Sequence, residues 1–295
     1  MSSYRFCRSD DIGLLVDALN RCWVPYFPDE PPATFKRSIR DLQVWCSSCM
    51  VAFSGSDPIG VLIGAKRASG TLIYKIAVHP DHRRQGHGRH LLTSLSSKLA
   101  ILGPPRIVAE VPESLASACE LFSASRYVPD ALLTDYVLEP EAHDVRQVDH
   151  VGASRAEAPK GAKAGFVIPV TVDDLAANGL IGEADAQVCW ERSVETVTAR
   201  KGDIAGLAVA SDERIEAYVL YLPREVDAEI VSLCPLVEDG GSRLRQLLAH
   251  LRAQGTQNLR FPKVHPAEIS KALLDTLGFR PDGAHRLYTA RAQSD

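Results

Sequence analysis

Residues 71–92 read TLIYKIAVHPDHRRQGHGRHLL, and this stretch decides the fold. Thr71–Val78 is rich in β-branched and aromatic side chains and spells a strand. His79-Pro80 stops it, a basic loop with two glycines follows, and Arg89–Ala100 has the apolar spacing of a helix. Strand, glycine loop and helix together make an anion site. The backbone N–H groups of Arg84, Gln85, Gly86, His87 and Gly88 lie at a helix start, where the macrodipole also favours negative charge. Gly86 and Gly88 let a phosphate approach without a Cβ in its way, and Arg83, Arg84 and Arg89 add full charges. No G-x-x-x-x-G-K-[ST] run exists, and Leu91 stands where a dinucleotide fingerprint wants its third glycine. A pyrophosphate-bearing coenzyme other than a nicotinamide dinucleotide fits what is left. The plain alternative is a basic surface loop.

Outward from this stretch, the chain reads as two similar halves. The first has a strand at Tyr4–Arg8, a helix at Ile12–Cys22, and a hairpin of Met50–Phe53 with Ile59–Gly64. The strand at Thr71–Val78 and its helix follow, then strand Ile107–Val111 and helix Ala116–Tyr127. The second has Phe166–Val172, Leu175–Leu180, Gly206–Ala210, Ile215–Leu222, Ala228–Leu233, Arg243–Ala253, Asn258–Phe261 and Ala267–Phe279 in the same order. The two readings are a duplication, or the general likeness of any two α/β halves. Residues 140–165 have no period and read as a linker. The expected architecture is therefore a mixed α/β sheet in each of two tandem domains, 1–139 and 166–295.

Composition narrows the class without naming a chemistry. The 295 residues are 45% hydrophobic and 24% charged, with net charge −4, which excludes a disordered chain, a fibre or an overall nucleic-acid binder. No apolar run reaches the ~20 residues of a membrane span. Seven scattered cysteines suit reduced thiols in a cytoplasm better than a disulfide framework. The C-x-x-C spacing of Cys46 and Cys49 has no second pair, and His79, His82, His87 and His90 flank the loop rather than form a ligand face, so no metal site is expected.

The run Ile76-Ala77-Val78-His79-Pro80, followed by Arg83-Arg84-Gln85-Gly86-His87-Gly88, resembles the acetyl-CoA signature of the GCN5-related N-acetyltransferases (GNAT). Leu121-Phe122-Ser123-Ala124-Ser125-Arg126-Tyr127 matches loosely the family's second signature, a helix ending in Leu-Tyr-x-x-x-Gly-Phe. The resemblance covers residues 4–138 and, more weakly, 166–291. It implies tandem acyl-CoA N-acyltransferase-like domains, with the backbone of Ile76, Ala77 and Val78 pairing the pantetheine arm and residues 83–88 cupping the pyrophosphate. It further implies acetyl transfer from acetyl-CoA to a primary amine by direct attack in a ternary complex. The acceptor would be a small molecule or a peptide, with no nucleic acid or membrane partner, and the protein a monomer or homodimer.

That chemistry needs a neutral amine, a proton acceptor and a donor for the charge growing on the thioester oxygen. Val78, through its backbone N–H, is the candidate donor and Glu110, on the strand beside the coenzyme strand, the candidate base. The alternative for Glu110 is a solvent-facing or arginine-paired residue. Two positions depart from the family: Phe122 replaces a tyrosine acid, and Leu115 stands where an asparagine usually binds coenzyme. A non-catalytic acyl-CoA sensor is the competing reading. Trp23, Tyr26 and Phe27, in a proline-rich stretch, are candidates for an acceptor lip or for a rigid cover of the core. In the second half, Glu238 and Asp239 stand where the first has arginines and would repel a pyrophosphate. That half is expected to keep the fold without the coenzyme, and Trp190 is expected to pack between helices.

Overall fold

The structure is a computed structural model and describes residues 2–23, 31–140, 165–181 and 187–293. The linker region 141–164 lies outside the described residues. Two compact units emerge, and neither is a continuous piece of chain. The first gathers Met1–Leu133, Val188–Ala199 and Gly283–Asp295; the second gathers Thr134–Gln187 and Arg200–Asp282.

In chain order the elements are β1 (Ser2–Phe6), α1 (Ile12–Trp23), α2 (Pro32–Leu42), β2 (Met50–Ser54), β3 (Asp57–Arg67), β4 (Gly70–Val78), α3 (His87–Leu102), β5 (Arg106–Pro112), α4 (Ala116–Ala124) and β6 (Val128–Leu138). There follow β7 (Phe166–Pro169), α5 (Val172–Ala177), α6 (Val194–Ala199), β8 (Ala205–Ala210), β9 (Ile215–Pro223), β10 (Asp227–Pro235), α7 (Ser242–Ala253), β11 (Asn258–Val264), α8 (Lys271–Thr276) and β12 (Arg280–Arg291).

In the first unit β1, β2, β3 and β4 pair antiparallel in sequence, and β5 joins β4 in parallel. Alternation along the strands feeds two cores. Val61, Ile63 and Val108 face α1 and α2, while Leu62, Ile107, Ala109 and Val111 face α3 and α4. The turn before α1 is closed by Asp11, which accepts from the Arg8 N–H at 2.8 Å and from the Arg5 guanidinium at 2.7 Å. Those bonds, that from Arg5 foremost, hold its carboxyl down at about 2.

The sheet of this unit is completed from the far end of the chain. β12 runs antiparallel to β5, with Tyr288 opposite Ala109 and Arg291 opposite Arg106. Conversely β6, which follows α4 in sequence, pairs from Thr134 onward with β11 of the second unit. Each half has given away its last strand. The second unit otherwise repeats the first: β7, β8, β9 and β10 antiparallel, β11 parallel to β10, and a core of α7 leucines with Phe261 and Phe279.

The boundaries 1–139 and 166–295 are therefore redrawn. Strand pairing across most of the chain leaves no mark in local patterning. Residues 188–199 also cross over, and Trp190 packs in the first unit, in the core built on α1 and α2. There its Nε1 donates to the Leu42 carbonyl at 3.0 Å and the Arg67 guanidinium lies 4.1 Å from its ring. Burial lowers the pKa of that arginine, against the opposing pull of Glu195 and Glu110.

Candidate functional site

β4 and β5 pair only at Thr71 with Ile107 and Leu72 with Val108. Just beyond, the register of β4 against β3 slips by one residue, leaving Tyr74 as a bulge. A bulge bends its strand and turns it from its neighbour, so the rest of β4 leaves the partnership with β5. The direction of its free groups follows from one bond. The His79 N–H donates to the Ile59 carbonyl at 2.9 Å, so by alternation Ala77 and Lys75 also face β3. The N–H groups of Ile76 and Val78 face the gap. The Val78 carbonyl agrees, since it accepts from Nε of Arg83 at 3.0 Å rather than from β3.

The loop after β4 makes one short 3₁₀ turn, Pro80–His82, then takes positive φ at Arg84 (62°) and Gly86 (87°). Arg84 is strained there, since a side chain in this region costs energy that Gly86 is spared. The alternation turns successive amides outward as a nest. From Arg84 to Gly88 no backbone N–H donates to another group among the described residues. The first helical bond of α3 is His90 N–H to the Gly86 carbonyl at 3.0 Å. Five donors at the start of a sixteen-residue helix are what an anion needs.

This loop, the end of β4 and α4 enclose a cavity of about 600 Å³. Ile76, Ala77 and Val78 form one side, Arg83, Arg84, Gly86 and Arg89 another, and α4 a third through Ser117, Leu121 and Ala124. Glu120 and His82 also line it, and Arg84 meets Glu120 at 3.2 Å across the rim. A larger cavity of about 800 Å³ in the same unit, beside Trp45, Lys66 and Leu102, lies at the opposite end of β3. It has no comparable row of free amides.

The sequence candidates divide under this geometry. Arg84 and Arg89 are exposed at the cavity, while Arg83 is folded back on Val78. Gln85 donates to the Asp81 carbonyl at 3.2 Å. Gly88 also lines the cavity, and a Cβ there would meet the Leu121 side chain at 3.0 Å, so its smallness lets α3 approach α4. His87 is buried beneath β1, its Nδ1 2.6 Å from the Tyr4 hydroxyl, with Nε2 unpartnered. Burial foremost, then the like charges of His82 and His90, lowers its pKa.

Trp23 lines the cavity, but its ring is engaged by the Lys75 ammonium at 4.6 Å, so it is no empty cage for a cationic amine. Tyr26 and Phe27 lie outside the described residues. Glu110 does not line the cavity. Its Oε1 accepts from the Trp190 N–H at 2.7 Å, so the carboxylate anchors a turn that sequence reading had assigned to the other half. Phe122 is core, and Tyr127 stacks edge-on to it at 5.1 Å with its hydroxyl buried; burial pushes that phenol up. Sequence reading missed Cys22, His82 and, on α4, Leu121 and Ala124. The spacing of Ser117, Leu121 and Ala124 marks one side of a helix and was the available signal. All seven cysteines are free thiols, and Cys49 donates from Sγ to the Trp45 carbonyl at 3.3 Å. No described helix is long and apolar enough to cross a membrane.

The second unit repeats the frame with a different filling. β10 pairs β11 in parallel at its start, carries a bulge at Val231, and leads to α7 through Gly240 and Gly241 at φ 64° and 81°. Here Asp239 occupies the helix start: its carboxylate accepts from the N–H groups of Gly241 (2.9 Å), Ser242 (3.1 Å) and Arg243 (2.8 Å). The Leu236 N–H bonds Glu216 as His79 bonds Ile59, which puts Pro235 in the place of Val78. Proline has no N–H to offer.

The sequence profile of the acetyltransferase (GNAT) family matches residues 13–125. No curated protein gives a significant sequence match. Among solved structures, the chain is similar to a tandem GNAT protein from the clavulanic acid biosynthesis pathway (18% identity, TM-score 0.62, all of both chains covered). It is also similar to a GCN5-related N-acetyltransferase from Sphaerobacter thermophilus (13%, TM-score 0.65, 99% of this chain and 96% of that one). A third, from Kribbella flavida, gives 12% and 0.63 over 99% of this chain and 71% of that one. At such identities the likeness is one of fold, and it covers both halves.

Proposed function

We propose that this chain, whose residues 13–125 match the profile of the acetyltransferase (GNAT) family, is an N-acetyltransferase with its working site in the first unit. Acetyl-CoA would supply an activated acyl thioester, and a primary amine would receive the acetyl group by direct attack. The row of unbound amides from Arg84 to Gly88, beside the open edge of β4, is the observation that carries the reading. Those amides, with Arg84 and Arg89, suit a pyrophosphate. The N–H groups of Ile76 and Val78 suit an extended amide-bearing arm laid along β4 as an added strand. The Val78 N–H is the donor for charge growing on the thioester oxygen.

An alkyl ammonium of pKa ~10.4 must lose its proton before it can attack. Glu110 is proposed as the acceptor, held in place through the Trp190 amide. Among the described residues no tyrosine lines the cavity to protonate the departing sulfur, and a thiol of pKa ~8.5 leaves tolerably without one. That same lack favours the second reading, a coenzyme sensor without turnover.

Calorimetry with CoA, followed by thiol release from acetyl-CoA over an amine panel, tests the assignment. Binding with turnover on at least one amine supports it; binding with none identifies the sensor, and no binding removes both. Glu110→Gln keeps an oxygen for the Trp190 N–H but cannot take a proton. Its kcat should fall about 100-fold while CoA affinity stays within about twofold. An unchanged rate at neutral pH removes Glu110 as the base.

A further inference from the structure

α4 forms a wall of the cavity, yet its nine residues are too few to hold a helix by themselves. What fixes it lies behind. Tyr288, on β12, is 1% exposed and stacks on Phe122 of α4 with ring centroids 5.6 Å apart and planes 19° from parallel. Its hydroxyl donates to the Cys119 carbonyl at 3.3 Å and lies 3.4 Å from Oγ of Ser123. In front, Leu121 presses on the backbone of Gly88 in α3. The wall is thus clamped between the first turn of α3 and a tyrosine 169 residues beyond Cys119. β12 is itself fastened, by seven residue pairs with β5 and by the Gln293 N–H bonded to Oγ of Ser96 on α3 at 3.0 Å.

We propose that Tyr288 is a positioning residue for the coenzyme: through Phe122 and Cys119 it sets the spacing between α4 and the amide-lined loop. Coenzyme affinity of the first unit then depends on β12. The inference rests on the coenzyme reading of the cavity and adds a residue far outside the stretch that matches the family. Linkage makes it reciprocal. If β12 belongs to the binding-competent arrangement, the ligand must in turn stabilise β12.

The test uses the full chain and CoA. Tyr288→Ala should raise the Kd for CoA about tenfold or more, whereas Tyr288→Phe keeps the stacked ring and should stay within about threefold. Hydrogen exchange of residues 285–291 in the unmodified protein should slow when CoA binds. Should Tyr288→Ala fail to fold, Tyr288→Leu keeps most of the buried volume without the flat ring and carries the same expectation. A protein that merely lost stability would bind fewer equivalents at unchanged affinity, so the Kd and not the stoichiometry decides. CoA binding equally tight in the Ala or Leu variant, or unchanged exchange over 285–291, overturns the role of Tyr288 and leaves the coenzyme reading standing. No CoA binding by the unmodified protein overturns the coenzyme reading first.

Discussion

Val78 and Pro235 close strands of nine residues each, and Gly86 and Gly241 open the following helices at φ 87° and 81°. Between these matched ends, one loop leaves its amides open and the other fills them with its own Asp239. A carboxylate bound by three backbone N–H groups at the start of α7 takes the place an external anion would take. The difference teaches that this fold does not by itself make a binding site. What differs is which polar groups the local sequence leaves unbound: in the second copy Pro235 offers no N–H and Asp239 holds three of the amides. The repulsion expected from Glu238 and Asp239 is thus more specific than bulk charge: Asp239 is the occupant.

The comparison can be broken most sharply at Gly86. Gly86→Asp puts a carboxylate beside the open amides and a side chain at positive φ, imitating the second loop. The Kd for CoA should rise more than about 100-fold, by calorimetry. Affinity kept within tenfold would show that those amides do not hold the coenzyme.

A smaller effect is expected on the other side. Asp239→Ala removes the acceptor of three amides at the start of α7 and should cost about 1–2 kcal/mol in denaturant unfolding, with Asp239→Asn losing less. CoA affinity of the first unit should not change. Equal stability of the Ala variant would mean that the carboxylate holds nothing there.

The smallest effect separates the loops by pH. His87 begins α3 where Ser242 begins α7, and burial with two neighbouring imidazoles lowers its pKa. The folded state therefore resists a proton that the unfolded chain takes near pH 6.5. The contribution of neutral His87 is complete above that value and is lost as pH falls below it. His87→Gln should flatten the decline of Tm between pH 7 and 5, and an identical decline would assign it to other groups.

The motif from Ile76 to Gly88 was legible because every part of it is local: a β-branched strand, a proline, a glycine that must take positive φ. The order of elements in each half was legible for the same reason. The part Gly88 plays between helices was not legible, because the contact with Leu121 appears only once α3 and α4 are in place. The partner of Glu110 was not legible because it is 80 residues away on a turn with no distinctive pattern. Neither β6, beginning Val128-Pro129-Asp130, nor β12, beginning Arg280-Pro281-Asp282-Gly283, alternates cleanly. Their exchange between units rests on register, which composition does not carry.

That exchange has a consequence for biosynthesis. Until β12 is synthesised, the flank of β5 lacks the antiparallel partner it has in the folded protein. Such a flank invites pairing with foreign strands. Closing it takes a contact between residues some 180 positions apart, the slowest kind to form. The nascent first unit must outlast that delay, and truncated products should be sticky where the finished protein is not.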